Sequence, residues 1–166
     1  STAHFLALFV WFTPQLVIVV GLGPGRSDIA LERVAINLID ARIPDNLGEQ
    51  PIDIPVAAEG PTAYFSTLPI KAMVAALRAA GIPATVSHTA GTFVCNQVFY
   101  SLQHTLAGST VRSGFMHVPL LTEQVALAAS AQPSMSQETL VKGLRVAVSA
   151  ALNTLHDVRE TGGQLC

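Results

Sequence analysis

The run Leu16-Val-Ile-Val-Val20, closed by Gly21, constrains this chain more than any other stretch. A strand with one wet face alternates apolar and polar residues, whereas this run is apolar at every position and therefore predicts a strand buried on both faces. Helices must then cover a sheet, and the remaining sequence supplies them in alternation with further strands. Residues 33–39, Arg-Val-Ala-Ile-Asn-Leu-Ile, predict a second strand. Pro69 opens a helix over 69–80, with Ile70, Met73, Val74 and Leu77 on one face and Gly81 as its stop. A strand over 83–86, a helix over 96–106, a strand over 113–118 and a closing helix over 136–156 follow, the last with a capping box in Ser134-Met-Ser-Gln137. The turn-rich stretch 44–60 reads as a loop or lid. This order predicts an α/β layered domain around a largely parallel sheet.

At 166 residues the chain has room for one well-buried domain, expected over 1–158, with 159–166 as a flexible tail. Half the residues are apolar and 12% are charged, against roughly 25% in an average soluble domain. The shortage of charge predicts extensive burial, within the monomer or against partner subunits. A formal net charge of −2 without a basic stripe argues against nucleic acid and against an acidic membrane surface. The apolar stretch 5–12 is separated from 16–20 by Thr13, Pro14 and Gln15, which leaves two pieces too short to span roughly 30 Å of hydrocarbon. No basic leader precedes it, so the reading is a buried helix feeding a core strand. Cys95 and Cys166 stand far apart, and neither has metal-ligand spacing to a second thiol or a histidine. Two isolated cysteines fit a reducing compartment better than a disulfide framework.

Gly21-Leu-Gly-Pro-Gly25 follows a strand and is similar to a dinucleotide-binding turn, but Arg26 stands where the fingerprint needs a third glycine. Pro24 also removes a backbone donor, so a tight structural turn is the better reading. Cys95 lies at the junction of a small-residue loop and a helix, where the positive end of the macrodipole favours a thiolate. The plain alternative is a buried cysteine acting as a small hydrophobe. His117 ends an apolar strand, a place where α/β folds expose functional side chains. Together the two suggest a thiolate–imidazole pair, which needs a third group to orient the ring. Glu32, Asp40, Asp45 and Glu123 are all candidates for that group, and spacing does not choose among them.

Five blocks decide the matter by resemblance. They are Leu-Glu-Arg-Val-Ala-Ile-Asn at 31–37, Asp-Ala-Arg-Ile-Pro-Asp-Asn at 40–46, Pro-Thr-Ala-Tyr-Phe-Ser-Thr-Leu-Pro-Ile at 61–70, the segment around Cys95, and Gly-Phe-Met-His-Val-Pro at 114–119. In that order they resemble the pyroglutamyl peptidase I (pyrrolidone-carboxylate peptidase) family of cysteine peptidases. The resemblance covers most of 16–157. It implies a three-layer α/β/α sandwich and a cysteine omega-peptidase that removes N-terminal pyroglutamate from peptides without metal or cofactor. It further implies a cytoplasmic homo-oligomer, a dimer or tetramer. Position by position, the family's nucleophile falls on Cys95, its histidine on His117 and its acid on Glu32. Phe93 and Ile43 fall on lactam-pocket positions, and Arg42 falls near the oxyanion region.

The chain also departs from that pattern. The family begins with a strand and a loop resembling Gly-Phe-x-Pro-Phe-Gly-Gly, which forms part of the lactam pocket; no counterpart occurs here, and residue 1 aligns inside a later helix. The family's helix also carries charges where 5–12 has none, which predicts association and lowered stability. Two other readings follow: a catalytically impaired relative serving as a binding or assembly subunit, and a nucleotide-binding α/β domain.

Overall fold

The structure, a computed structural model, describes residues 14–163. The helix expected over 5–12 and the second cysteine, Cys166, lie outside the described residues. Four strands form the central sheet: β1 (Leu16–Leu22), β2 (Ile29–Glu32), β5 (Ala84–Ser87) and β6 (Arg112–Val118). Their order is β1-β6-β2-β5, with β1 parallel to β6, β2 parallel to β5, and β2 antiparallel to β6. The sheet is therefore mixed, as expected of the α/β class.

Helices lie on both faces. Helix α1 (Ile70–Ala79) and helix α4 (Gln137–Asn153) cover one, where Ile70, Met73, Val74, Leu77, Ala147 and Ala151 pack on Ile29, Leu31, Val86 and Met116. Helix α2 (Val94–Thr105) covers the other, packing Phe99 and Tyr100 with Phe115 and Ala35. Side chains alternate along a strand, so Met116 and Phe115 serve opposite cores and His117 shares the α2 side with Phe115. On β2, Ile29 and Leu31 face α1 and α4, which turns Ala30 and Glu32 toward α2. Gly143 lets α4 lie close on β2, because a Cβ there would come within 2.6 Å of Ile29 Cδ1. A glycine in a helix interior costs about 1 kcal/mol relative to alanine, and the close approach explains its presence.

The expected strand over 33–39 begins earlier and breaks in two. After β2 the chain leaves the main sheet at Arg33, whose N–H bonds the Ser87 carbonyl, and resumes as β3 (Val34–Ile36) in a two-stranded ribbon with β4 (Ala63–Phe65). A second small ribbon pairs β7 (Leu120–Leu121) with β8 (Ser134–Met135), and a short helix α3 (Thr122–Ala126) lies between them. Helix α4 is capped by Ser136, whose side chain accepts from the Thr139 N–H, and Ser134 belongs to β8. The cap thus sits two residues beyond the one expected from Ser134-Met-Ser-Gln137. Beyond α4, the Asp157 carboxylate accepts from the N–H groups of Lys71 and Ala72 and caps α1, while the Gly162 carbonyl accepts from Arg33. No helix among the described residues is long and apolar enough to cross a membrane.

Met73 is fully enclosed between α1 and the sheet. Met73→Ala is expected to cost about 2–5 kcal/mol, read as a lower urea midpoint with an unchanged m-value.

Candidate active site

Three side chains converge on the α2 side of the sheet. His117 sits opposite Ala30 in the antiparallel β2–β6 register, which makes Glu32, two residues along, its diagonal neighbour on the same face. His117 Nδ1 lies 2.7 Å from Glu32 Oε1, and both groups are buried. The Cys95 side chain lies close enough to the same histidine to influence its protonation. With Nδ1 committed to the carboxylate, Nε2 is the nitrogen left for the thiol. Burial alone would lower the His117 pKa, but the interactions with Cys95 and Glu32, with the charges of those two groups, push it up to about 9.

Cys95 is the second residue of α2, inside its first turn and not ahead of the helix as the sequence suggested. Its N–H is one of the four that a helix start leaves without an intrahelical partner, and the positive end of the macrodipole faces the thiol. Asn96 fixes this turn to the ribbon: its Oδ1 accepts from the Ile36 N–H and its Nδ2 donates to the carbonyls of Ile36 and Leu38.

The glycine turn after β1 shapes the floor of the site. A Cβ on Gly21 would meet Phe115 Cζ at 2.5 Å and Cys95 Sγ at 3.3 Å, and one on Gly23 would meet Arg26 Cδ at 2.9 Å and His117 Cβ at 3.3 Å. Only glycine fits at position 21 while Phe115 stays packed beside the His117 ring, at 4.9 Å between centroids, and at position 23 a side chain would displace the Arg26 stem. The Gly23 N–H bonds the Val118 carbonyl, and β2, a strand, follows the turn. A phosphate cradle needs free amides and a helix start, so the structure removes the dinucleotide reading.

The other acids stand elsewhere. Asp40 is exposed, Asp45 accepts from the N–H groups of Leu47 and Glu49 in its own loop, and Glu123 is exposed on α3. Phe93 is half-buried and forms the N-cap of α2, whereas Arg42 and Ile43 are exposed on the loop that follows Asp40. That loop is tied to the residue before Phe93: the Asp40 N–H donates to the Thr92 carbonyl at 2.7 Å, and Thr92 Oγ1 donates to the Asp40 carbonyl. Two features escaped the sequence reading. Gly21 and Gly23 read as a turn alone, and their spacing next to a strand end is the signal that marks the site. Arg26, which the glycine motif presents only as a missing glycine, reaches Glu32 Oε1 at 3.4 Å.

Comparison with known proteins agrees with this geometry. The family model described as pyroglutamyl peptidase matches residues 9–154. The chain belongs to the pyroglutamyl peptidase family. It is 68% identical over 152 residues to a pyrrolidone-carboxylate peptidase of Pseudomonas fluorescens, an alignment covering 92% of this chain and 70% of that protein. It is 63% identical over 155 residues to one of Cupriavidus taiwanensis, covering 92% and 71%. Among solved structures, pyroglutamyl peptidase I from Bacillus amyloliquefaciens superposes with a TM-score of 0.91 at 42% identity, covering 97% of this chain and 76% of that one. Pyrrolidone carboxyl peptidase from Thermococcus litoralis gives 0.91 at 39% identity, covering 96% and 77%. As a pyroglutamyl peptidase family member, the chain has the α/β architecture of these neighbours.

Because the folded His117 pKa of about 9 lies above the unfolded value of 6.5, its ionisation stabilises the native state. That contribution is complete below pH 6.5 and disappears as pH rises through about 9. Denaturant unfolding at pH 6, 8 and 10 is expected to show the advantage of the parent chain over His117→Gln shrinking across that window.

Proposed function

We propose that this chain hydrolyses the N-terminal pyroglutamyl residue from peptides as a cysteine peptidase, with Cys95 as nucleophile, His117 as acid–base and Glu32 as the group that orients the ring. The contact that carries the reading is the buried 2.7 Å pair of Glu32 and His117, with Cys95 close enough to act on the same imidazole. In the resting pair the Cys95 proton resides on His117, so a thiolate lies beside an imidazolium that Glu32 stabilises. The thiolate attacks the pyroglutamyl carbonyl. The Cys95 N–H at the helix start, with Arg42 nearby, stabilises the oxyanion; one such donor is worth about 3 kcal/mol. His117 then protonates the departing amine, and water hydrolyses the thioester.

Specificity is assigned to an apolar slot for the flat lactam, to which Phe93 and Ile43 contribute, with polar partners for its amide. The tie between Asp40 and Thr92, which brings the loop of Arg42 and Ile43 to the start of α2, supports that assignment. A lactam carries no charge, so the slot needs no counter-ion. A site that pairs a substrate's polar groups rejects analogues lacking them strongly.

We place the enzyme in the cytoplasm as a homo-oligomer, a dimer or tetramer. Val141, Val148 and Leu152 support assembly, since they lie exposed along one face of α4. Size-exclusion chromatography with light scattering is expected to return a mass at least twice 17.4 kDa; a monodisperse monomer would remove the assembly proposal.

The decisive assay is release of a fluorogenic amine from its pyroglutamyl amide. The parent is expected to turn the substrate over. Cys95→Ala should lose about 10⁴-fold or more in kcat/KM, and Glu32→Gln about 10²–10⁴-fold, with folding retained. Equal activity in the parent and Cys95→Ala would sink the assignment.

A further inference from the structure

Arg26 is the one charged side chain, besides His117, within ion-pair distance of Glu32 among the described residues. It projects from the glycine turn, its stem crossing the space that a Cβ on Gly23 would fill. Its Nη2 stands 3.4 Å from Glu32 Oε1 and 3.3 Å from Ser87 Oγ. Ser87 lies directly across from Glu32 in the parallel β2–β5 register. The Ser87 hydroxyl donates to the Thr89 carbonyl, and its oxygen accepts from both the Thr89 N–H and the guanidinium. At 3.4 Å the contact with Glu32 is an ion pair more than a hydrogen bond. The second carboxylate oxygen, Oε2, is buried without a hydrogen-bond partner among the described residues.

This arrangement bears on a problem that the Cys-His-Glu reading raises. Glu32 is fully buried, and a buried carboxylate must be paired. His117 is its partner, but in the reaction His117 passes its proton to the departing amine and becomes neutral. At that stage the carboxylate would keep a hydrogen bond and lose its counter-charge. A guanidinium does not titrate in the working range, so it supplies a positive charge that persists through the cycle. We propose that Arg26 is a positioning residue that keeps Glu32 ionised, and hence the His117 ring oriented, while the imidazole changes charge. The proposal rests on the peptidase reading above and adds a fourth residue to it.

Among the described residues the titratable groups facing Glu32 are few. His117 approaches from β6 and Arg26 from the turn after β1, while Cys95 acts from α2 through His117; β5 offers only the uncharged Ser87. Arg33, next along the chain, is directed at the Gly162 carbonyl. A carboxylate that loses a nearby cation takes up a proton more readily. Loss of Arg26 should therefore act on the acid side of the activity profile.

The test compares the full chain with Arg26→Gln and Arg26→Lys, following turnover of a pyroglutamyl amide and alkylation of Cys95 by iodoacetamide from pH 5 to 10. Alkylation at Cys95 is located by peptide mass mapping, which separates it from Cys166. Arg26→Gln is expected to lower kcat about 10–100-fold with KM within about threefold. Its acid limb should move up by about one pH unit in both profiles. Arg26→Lys, which keeps the charge, should return the limb toward that of the parent and recover most of kcat. Unmoved limbs in Arg26→Gln overturn the proposal, whatever happens to the melting temperature. If Arg26→Gln does not fold, a lysine variant with low kcat and an unmoved limb overturns it as well, because the side chain would then matter only for packing. A parent chain that fails to release the amine refutes the peptidase reading instead, and the alkylation profiles still report whether Arg26 controls the pair.

Discussion

The contact between Glu32 and His117 has no equivalent elsewhere among the described residues: a fully buried carboxylate held 2.7 Å from a buried imidazole. Enclosed charge is costly unless paired, so the pair can exist only where the fold fixes both partners before any substrate arrives. Here it rests on strand register. β2 runs antiparallel to β6 in an otherwise parallel arrangement, and that reversal places Ala30 against His117 and Glu32 on its diagonal. A slip of one residue in either strand would turn one of the two side chains to the opposite face, toward α1 and α4. The alternating cores prevent such a slip. Leu31 and Met116 are fully buried on one side and Phe115 nearly so on the other, and moving any of them would expose apolar surface or bury a charge.

Once the pair is set, its surroundings follow from crowding. Phe115 packs beside the imidazole and needs room at Gly21; Cys95 needs the same room from the other side. The start of α2 has to approach from the ribbon face, and Asn96 holds it there through three hydrogen bonds to backbone groups of Ile36 and Leu38. The thiol thereby arrives at a helix N-terminus beside an imidazole that is charged at neutral pH, since its pKa stands at about 9. Two independent positive influences, one from aligned peptide dipoles and one from a full charge, act on the same sulfur.

Much of this was legible in the sequence where side-chain patterns are long. The helical stripe at 70, 73, 74 and 77 and the closing helix are visible because burial on a large surface leaves a repeating signature, whereas the apolar run at 16–20 marks a strand that lies at the sheet edge among the described residues, with Val20 exposed, and not one buried on both faces. Short elements left none. β2 has four residues, ends in a charged one and looks like part of a longer strand; its separation from β3 depends on the Arg33 N–H finding the Ser87 carbonyl, a partner 54 positions away. The cysteine and histidine were suspected from their settings. The acid was not recoverable from spacing, since Glu32, Asp40, Asp45 and Glu123 are equivalent until strand pairing is known, and only resemblance singled it out. Arg26 leaves no signal for a related reason: its contact with Glu32 exists only once the turn after β1 is folded.

Charge in the site alternates along a single line, Arg26 positive, Glu32 negative, His117 positive and Cys95 as the thiolate in the proposed mechanism. Each group lies next to one of opposite sign, so the row is neutral overall and its burial costs less than that of any member alone. A proton moving from His117 to a departing amine changes the charge of one inner member and leaves the outer Arg26–Glu32 pair intact. That arrangement confines the electrostatic disturbance of catalysis to the imidazole and the atoms it serves. It also fits a substrate ring without charge. An ionic substrate would need a counter-ion in the slot, and that ion would compete with Cys95 for His117 or with Arg26 for Glu32. A neutral lactam can be recognised by hydrogen bonds and apolar contact alone, which leaves the row undisturbed until the carbonyl is attacked.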